Sequence, residues 1–307
     1  MVTNLAEAYA TCARFARDHY ENFPVASRLL PRGMRPHVAA VYAFSRMADD
    51  FADEGDRPAA GRLDLLDAWS EQLHACTAPA DTGLGPAPRA TATDRATVAL
   101  PPETSHIFAA LGSTIRICGL PVSLCDDLLS AFRQDVTTVR YDTWEAVLDY
   151  CRRSANPVGR LVLAIAGYRD DRLDRSSDAV CTALQLTNFW QDLERDWLKG
   201  RLYLPLDECR LEGARLADLD ARLLTPAWRK ILRGAGARTA ALFDEGRLVC
   251  DRVSGRLRLE LRFTWLGGRR ILSRLERDDF DVFLRRPALR GADLPALLWQ
   301  AMIWRTR

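Results

Sequence analysis

The sequence has no long apolar run and almost no net charge. No hydrophobic stretch approaches the ~18 residues needed to span a bilayer, and the amino-terminal residues are polar and acidic, unlike a signal peptide. Lys and Arg number 43 against 41 Asp and Glu, so the overall field is too weak to indicate nucleic acid as a partner. These absences predict a cytoplasmic protein without a bilayer-spanning segment.

Cysteine pairs and histidine clusters are also missing. The eight cysteines occur singly, with no Cys-x-x-Cys motif, so neither a zinc site nor a redox dithiol is indicated. We expect buried, reduced thiols. The four histidines are scattered and suggest no metal triad.

Apolar residues recur at helical spacing, and alternating β-branched runs are absent. This pattern predicts an all-α protein. The predicted helices cover about residues 4–20, 35–54, 60–76, 104–118, 122–134, 143–153, 157–167, 173–198, 226–253, 255–283 and 293–304.

One stretch lacks this periodicity. Residues 77–103 are rich in Ala, Pro, Thr and Gly and contain few large apolar side chains. The helices on either side share one character, and no internal repeat is visible. We therefore predict a single domain over residues 1–307 with a flexible insertion at 77–103.

A first acidic segment runs from Val41 to Glu54. At 100° per residue, four of its polar residues fall within about 60° of one helix face. They are Tyr42, Arg46, Asp49 and Asp53. A solvated surface helix is one explanation. However, Asp49 and Asp53 repel each other one turn apart, and no Lys or Arg follows within that turn. Paired carboxylates of this kind are oxygen ligands that Mg²⁺ prefers.

A second acidic segment follows about 140 residues later. Its polar residues again share one helix face: Gln185, Asn188, Asp192 and Asp196. Local ion pairs with Arg195 and Lys199 are the alternative explanation here. Mg²⁺ is usually held by one or two carboxylates together with substrate phosphates. Two facing acidic helices would therefore hold Mg²⁺ around one diphosphate, and the cation left by its departure would need a dry apolar cavity.

Four further motifs accompany the acidic segments. They are His19-Tyr20-Glu21-Asn22-Phe23-Pro24, Tyr42-Ala43-Phe44-Ser45-Arg46, Ala155-Asn156-Pro157-Val158-Gly159 and Gly200-Arg201-Leu202-Tyr203-Leu204-Pro205. In this order the set resembles the squalene/phytoene synthase family over roughly residues 10–285. The resemblance implies a class I isoprenoid synthase, a single-domain helical bundle with a central cavity that acts on an isoprenoid diphosphate.

The resemblance also implies roles for individual residues. The Mg²⁺ ligands and catalytic groups would be Asp49, Asp53, Asp192 and Asp196, with Asn188 as a further ligand. Residues that contact or frame the substrate would be Phe23, which lines the prenyl channel, and Tyr42, Arg46, Gln185 and Asn188.

Two departures point to one branch of the family. Gln191 stands where many members have Arg before the first Asp of the second motif, and Asn156-Pro157 replaces a Gly-containing pair. Both features look like the bacterial hopanoid-pathway branch. That branch implies conversion of presqualene diphosphate to hydroxysqualene, with handover to other enzymes of that pathway. Head-to-head condensation of two farnesyl diphosphates is the enzymatic alternative. A non-enzymatic helical assembly factor is the other, although it predicts degraded acidic motifs, and both are intact.

The remaining features allow simpler explanations. Phe132, Tyr141 and Tyr150 are expected to be core aromatics. The segment 247–277 carries nine arginines against three acidic residues. A solvated helix face is the default explanation, and peripheral contact with an anionic membrane at the cytoplasmic face is the alternative.

Overall fold

The computed structural model describes residues 4–18, 29–78 and 99–304. Within these ranges the chain forms fifteen α-helices, and its extended pairing is limited to one isolated bridge between Arg140 and Leu202. The all-α prediction is confirmed. The centre of the predicted insertion, residues 79–98, and the predicted channel residue Phe23 lie outside the described residues. No helix in the described part of the chain is long and apolar enough to cross a membrane.

The helices follow the predicted order. The first seven are α1 (Leu5–Asp18), α2 (Arg35–Asp53), α3 (Ala59–Thr77), α4 (Thr104–Cys118), α5 (Val122–Thr137), α6 (Trp144–Ser154) and α7 (Asn156–Ile165). The next four are α8 (Asp171–Gln191), α9 (Leu193–Leu198), α10 (Leu206–Glu212) and α11 (Leu216–Asp220). The last four are α12 (Pro226–Glu245), α13 (Arg247–Arg252), α14 (Gly255–Arg277) and α15 (Asp293–Met302).

The described residues divide into two compact units. The first contains the chain up to Thr137 together with Leu161–Gly167, and the second contains Thr138–Arg160 and the chain from Tyr168 onward. The first acidic segment belongs to the first unit, and the second acidic segment belongs to the second. The single-domain organisation and the central cavity stay predictions.

The core of the first unit holds α2 by its apolar side. Phe44, Phe51 and Phe108 surround the fully buried indole of Trp69, whose ring centroid lies 4.5 Å from that of Phe108. The Trp69 Nε1–H donates to the Phe44 carbonyl at 3.3 Å. Because these contacts fix the rotation of α2, its polar face is turned away from the core.

A small polar network joins three helices of the same unit. The Tyr9 hydroxyl of α1, His37 Nδ1 of α2 and the Thr114 hydroxyl of α4 lie 3.0–3.3 Å apart. Thr114 is fully buried. Burial lowers the pKa of His37, so the fold favours its neutral imidazole.

The second unit is organised around α8, which packs against α6, α12, α13 and α14. Its indole at Trp190 is buried and donates to the Thr239 hydroxyl of α12 at 2.9 Å. A buried aromatic group lies beside it, in which Phe189 stacks on Tyr203 with centroids 3.7 Å apart. Tyr141 and Tyr150 complete this group and are almost fully buried, as expected of core aromatics. In the first unit Phe132 is likewise buried.

Two long predicted helices are interrupted. The helix expected over 173–198 breaks at Asp192, and the one expected over 226–253 breaks at Gly246. At the second break the Ser176 hydroxyl donates to the Gly246 carbonyl and accepts from the Val249 N–H, both at 2.8 Å. A hydroxyl from α8 therefore satisfies backbone groups that the break leaves without helical partners.

The helix expected to reach residue 283 ends at Arg277. Asp279 and Phe280 take positive φ angles of 50° and 58°, which reverse the chain and bury Phe280. Arg229 and Arg233 of α12 both pair with Asp279 and hold this turn. The short helices α10 and α11 were not predicted, because each is too brief to show a period.

The cysteines are buried in part, with Cys76, Cys118 and Cys181 half-buried. All eight thiols are free, and five are buried. Burial raises the pKa of Cys12 to about 11 and that of Cys125 to about 12, so these thiols remain protonated and unreactive at neutral pH.

Candidate active site

The first acidic motif lies on the polar face of α2. Tyr42, Arg46, Asp49 and Asp53 are all partly exposed along this face, whereas Phe44, Met47 and Phe51 are buried. The helix therefore presents the four predicted residues as one stripe.

Arg46 forms ion pairs with three carboxylates on or beside this face. Its guanidinium contacts Asp49 at 3.3 Å, Asp50 at 2.8 Å and Glu54 at 3.1 Å. Burial lowers the pKa of Arg46, but the neighbouring carboxylates more than offset this and raise it above its ordinary value. The sequence argument considered only residues that follow the aspartates, whereas the compensating cation comes from the turn before them.

These ion pairs use only the terminal nitrogens of Arg46. The Nε–H of Arg46 is buried and has no hydrogen-bond acceptor among the residues that the structure describes. Such a donor costs free energy unless an acceptor reaches it. An arginine with a spare buried donor, set among carboxylates, suits an anionic ligand that arrives with its own cations.

The second acidic motif spans the junction between α8 and α9. Asp192 lies between the two helices with φ −102° and ψ 12°. Its N–H donates to the Asn188 carbonyl, and its carbonyl accepts from the Asp196 N–H, both at 2.8 Å. The one-turn spacing of Asn188, Asp192 and Asp196 is therefore kept across the junction. Together with Gln185 they occupy a partly exposed face, opposite buried Leu186, Phe189 and Trp190.

The carboxylate of Asp192 is held by a residue that the sequence analysis missed. Arg286 donates two hydrogen bonds to this carboxylate, from Nε–H to Oδ1 and from a terminal N–H to Oδ2 at 3.0 Å. The Asn188 amide also donates to Oδ2 at 2.9 Å. Arg195, the partner expected from local spacing, is farther away at 3.8 Å.

Gln191 helps to position this distant arginine. Its side-chain amide donates to the Pro287 carbonyl at 2.6 Å, next to Arg286. The residue that departs from the common family pattern therefore anchors the segment that brings a guanidinium to the second motif. No local pattern in the sequence links positions 191 and 286; the only signal was the missing arginine itself.

Each acidic motif offers Mg²⁺ some of its ligands but not a complete set. Among residues 4–18, 29–78 and 99–304, no group of three His, Cys, Asp or Glu side chains is close enough to hold one metal ion. Each motif instead offers a small set of carboxylate and amide oxygens. This suits an ion that keeps several waters and takes the rest of its ligands from substrate phosphates. At Asp192 the Arg286 guanidinium shows that this carboxylate accommodates a cation. The metal roles of all these residues stay predictions.

Comparison with known proteins agrees with these motifs. The squalene/phytoene synthase family profile matches residues 16–293. The hydroxysqualene synthase of Rhodopseudomonas palustris is 35% identical over 84% of this chain and 80% of its own length. That of Sinorhizobium fredii is 34% identical over 86% of this chain and 82% of its own length.

Solved structures share the fold. The crystal structure of squalene synthase HpnC from Alicyclobacillus acidocaldarius superposes with a TM-score of 0.76 at 40% identity, covering 90% of this chain and 95% of that one. A dehydrosqualene synthase is similar in fold alone, with a TM-score of 0.78 at 19% identity over 98% of this chain and 97% of that one. The fold, the two acidic motifs and these similarities together show that the chain belongs to the squalene/phytoene synthase family of enzymes.

Proposed function

We propose that this protein converts presqualene diphosphate to hydroxysqualene in a Mg²⁺-dependent reaction of bacterial hopanoid synthesis. One observation carries the proposal: the chain keeps both acidic motifs and is 34–37% identical to three hydroxysqualene synthases over 72–86% of its length. The presence of Gln191 in the second motif supports the same branch.

The overall change is a substitution of diphosphate by water. The carbon–oxygen bond to diphosphate breaks, and its electron pair leaves with the diphosphate. The carbon skeleton rearranges, and a water oxygen forms the new bond and releases one proton. No reductant is consumed, which distinguishes this outcome from squalene formation.

The acidic motifs would hold the metal ions that accompany the diphosphate. Their ligands would be the carboxylates and the amide of Asp49, Asp53, Asn188, Asp192 and Asp196. When bound, Mg²⁺ supplies Lewis-acid neutralisation of the leaving group. The apolar side of α2 is buried in the first unit, which fixes Asp49 and Asp53 along one helix face. In the second unit, backbone hydrogen bonds keep Asn188, Asp192 and Asp196 one turn apart across the junction of α8 and α9.

The remaining polar residues would bind the diphosphate directly. Arg46 offers its buried Nε–H to a phosphate oxygen, and its ion pairs with Asp49 and Asp50 hold the guanidinium in place. Tyr42 lies one turn before Arg46 on the same face, and Gln185 lies one turn before Asn188 and Phe189 in α8. A fixed guanidinium is suited to a developing negative charge because no reorganisation is needed as the bond breaks.

The decisive experiment identifies the origin of the product oxygen. Purified protein is incubated with presqualene diphosphate and Mg²⁺ in ¹⁸O-labelled water, and the lipid products are analysed by mass spectrometry. We expect hydroxysqualene that carries one labelled oxygen, with release of diphosphate and no turnover in EDTA. Production of squalene without label, or no turnover, would contradict the proposal.

A second reaction mixture separates the enzymatic alternative. Farnesyl diphosphate alone is supplied with Mg²⁺ under the same conditions. Accumulation of presqualene diphosphate from this substrate would establish head-to-head condensation instead. We expect farnesyl diphosphate to remain unchanged.

A further inference from the structure

The last helix, α15, is attached to the second unit by a narrow stripe. Only Asp293, Leu297 and Ala301, spaced one turn apart, are buried, with exposed fractions of 9%, 0% and 0%. Most of the remaining circumference faces outward. In an ordinary surface helix this outward part carries polar and charged side chains.

In α15 the outward part is apolar. Leu294, Trp299 and Met302 of α15, together with Ile303 directly after it, are 46–60% exposed. With half-buried Leu298 they span an arc of about 180° at 100° per residue. Residues 294–304 contain no Asp, Glu, Lys or Arg, and Gln300 is their one polar side chain. Single exposed apolar residues are common, but a contiguous apolar surface marks an interaction site. We call these five residues the α15 apolar surface.

The helix is firmly held, so this surface is not a frayed end. The Asp293 carboxylate accepts from the Arg274 guanidinium at 2.5 Å and from the Arg290 N–H at 2.7 Å. At the other end, the Trp304 indole donates to Asp251 at 2.6 Å and stacks edge-on against Trp265. The fold therefore presents the α15 apolar surface at a defined position.

A group of arginines lies beside the carboxyl end of α15. The guanidinium carbons of Arg247 and Arg262 stand 4.2 Å and 5.1 Å from the centroid of the Trp304 ring. Arg258 lies one turn before Arg262 in α14 and is exposed. Asp251 is the acidic residue that pairs with Arg247 and Arg262. We call Arg247, Arg258 and Arg262 the basic cluster.

We propose that α15 docks this protein on the surface of an anionic phospholipid bilayer. The α15 apolar surface enters the boundary between headgroups and acyl chains, with Trp299 at the depth that amphipathic aromatic rings favour. The basic cluster lies against the anionic headgroups. An anionic bilayer fits both features, because its interior accommodates the α15 apolar surface and its headgroups attract the basic cluster. Docking through α15 is independent of the reaction that the enzyme catalyses.

The test is vesicle binding without substrate or Mg²⁺. The full chain is sedimented with large unilamellar vesicles of phosphatidylcholine, with or without 30 mol% phosphatidylglycerol. We expect binding to the anionic vesicles that weakens as salt is raised, and much weaker binding to the neutral ones. A Trp299→Gln/Met302→Gln variant is expected to bind roughly tenfold or more weakly, because two large apolar side chains are lost from the interface.

Matched variants separate the α15 apolar surface from general properties of the chain. Leu211→Gln removes a leucine of α10 that is 82% exposed, and it is expected to bind like the wild type. Arg258→Gln is expected to weaken binding to anionic vesicles, whereas Arg172→Gln, at an exposed arginine in the first turn of α8, leaves it unchanged. Circular-dichroism melting verifies that every variant is folded.

Several results would overturn the proposal. One is equal binding by the wild type and the Trp299→Gln/Met302→Gln variant; another is no binding to anionic vesicles at low salt. Sedimentation velocity examines the other occupant, a second copy of the chain. A wild-type dimer that this variant converts to a monomer, without any vesicle binding, would make the surface a subunit interface instead.

Discussion

Asp192 shows how much a single residue of the site depends on a distant partner. Its side chain is 15% exposed and receives donors from Arg286 and Asn188. A carboxylate so poorly hydrated requires a counter-charge. If Asp192 binds Mg²⁺ as proposed, the Arg286 guanidinium and the metal ion compete for the same carboxylate oxygens.

This competition gives a prediction for Arg286→Gln. In EDTA, loss of the cation should lower the free energy of unfolding by about 1–2 kcal/mol, since a partly buried carboxylate is left without its partner. Adding Mg²⁺ should then raise the melting temperature of the variant more than that of the wild type, as measured by thermal unfolding. Arg285→Gln, at the exposed neighbouring residue, is the control. Equal Mg²⁺-induced shifts in all three proteins would show that Arg286 does not compete with the metal.

At the scale of elements, the close approach of two helices accounts for the glycine at one helix break. Gly246 separates α12 from α13 and has an ordinary helical φ of −75°. A Cβ atom there would lie 2.5 Å from Val180 Cγ2 and 2.8 Å from the Ser176 carbonyl oxygen. The glycine is required because the chain passes against the backbone of α8, and not because of its conformational freedom.

Two alanine substitutions test whether Gly246 is required by its close packing against α8. Gly246→Ala should destabilise the protein by about 1–3 kcal/mol, because the backbone of α8 has to move. Gly234→Ala lies at an exposed position of α12, where an added Cβ would meet no atom of the described residues within 4 Å. It should stabilise the protein by about 0.5–1 kcal/mol through helix propensity. Urea unfolding followed by circular dichroism measures both. Changes of the same sign would contradict the packing argument.

The contact among α1, α2 and α4 predicts a pH dependence. The pKa of His37 is lowered by burial from its ordinary value of 6.5, so the unfolded chain binds a proton more readily than the folded one. The stability contributed by neutral His37 is complete above pH 6.5 and is lost as pH falls below it.

A His37→Asn variant should therefore lose stability less steeply than the wild type between pH 7 and 5. Urea unfolding at a series of pH values measures the slope. Asp149 and Asp279 do not interfere, because arginine hydrogen bonds lower the pKa of each from 3.8 and their effects fall below this window. Identical slopes would show that His37 does not titrate differently on folding.

At the scale of the whole molecule, the two acidic motifs belong to different compact units of the chain. If both bind one Mg²⁺–diphosphate group, each alone is insufficient for binding and turnover. Asp49→Asn and Asp192→Asn should each lower turnover by at least a thousandfold while leaving the helical content unchanged.

A thermal-shift measurement with Mg²⁺ and a non-hydrolysable prenyl diphosphate analogue makes the same comparison without chemistry. The wild type should be stabilised by ligand binding, and either substitution should remove most of the shift. Asp56→Asn and Asp171→Asn, at exposed positions in the two units, are the controls. A full ligand-induced shift in either motif variant would contradict its assigned role.

Local patterns were sufficient for the polar faces of the two motifs and for the approximate positions of the long helices, but not for the breaks at Asp192 and Gly246 or for the short helices α10 and α11. Helical period and residue type act over a few residues, so the stripe from Tyr42 to Asp53 and the row from Gln185 to Asp196 are legible in the sequence. The family resemblance rests on the same local motifs. Their metal roles stay predictions, because the order of residues along one helix does not determine what a carboxylate coordinates.

Tertiary structure decided the features that depend on distant contacts. Arg286 reaches Asp192 across 94 positions, and the Ser176 hydroxyl bonds the free backbone groups at the Gly246 break from 70 positions away. The sequence predicts α15 as a helix, but only the structure shows that its contact with α14 leaves just one narrow stripe of it buried. Which surface of an apolar helix meets water is a property of what packs against it, and the sequence of that helix does not contain this information.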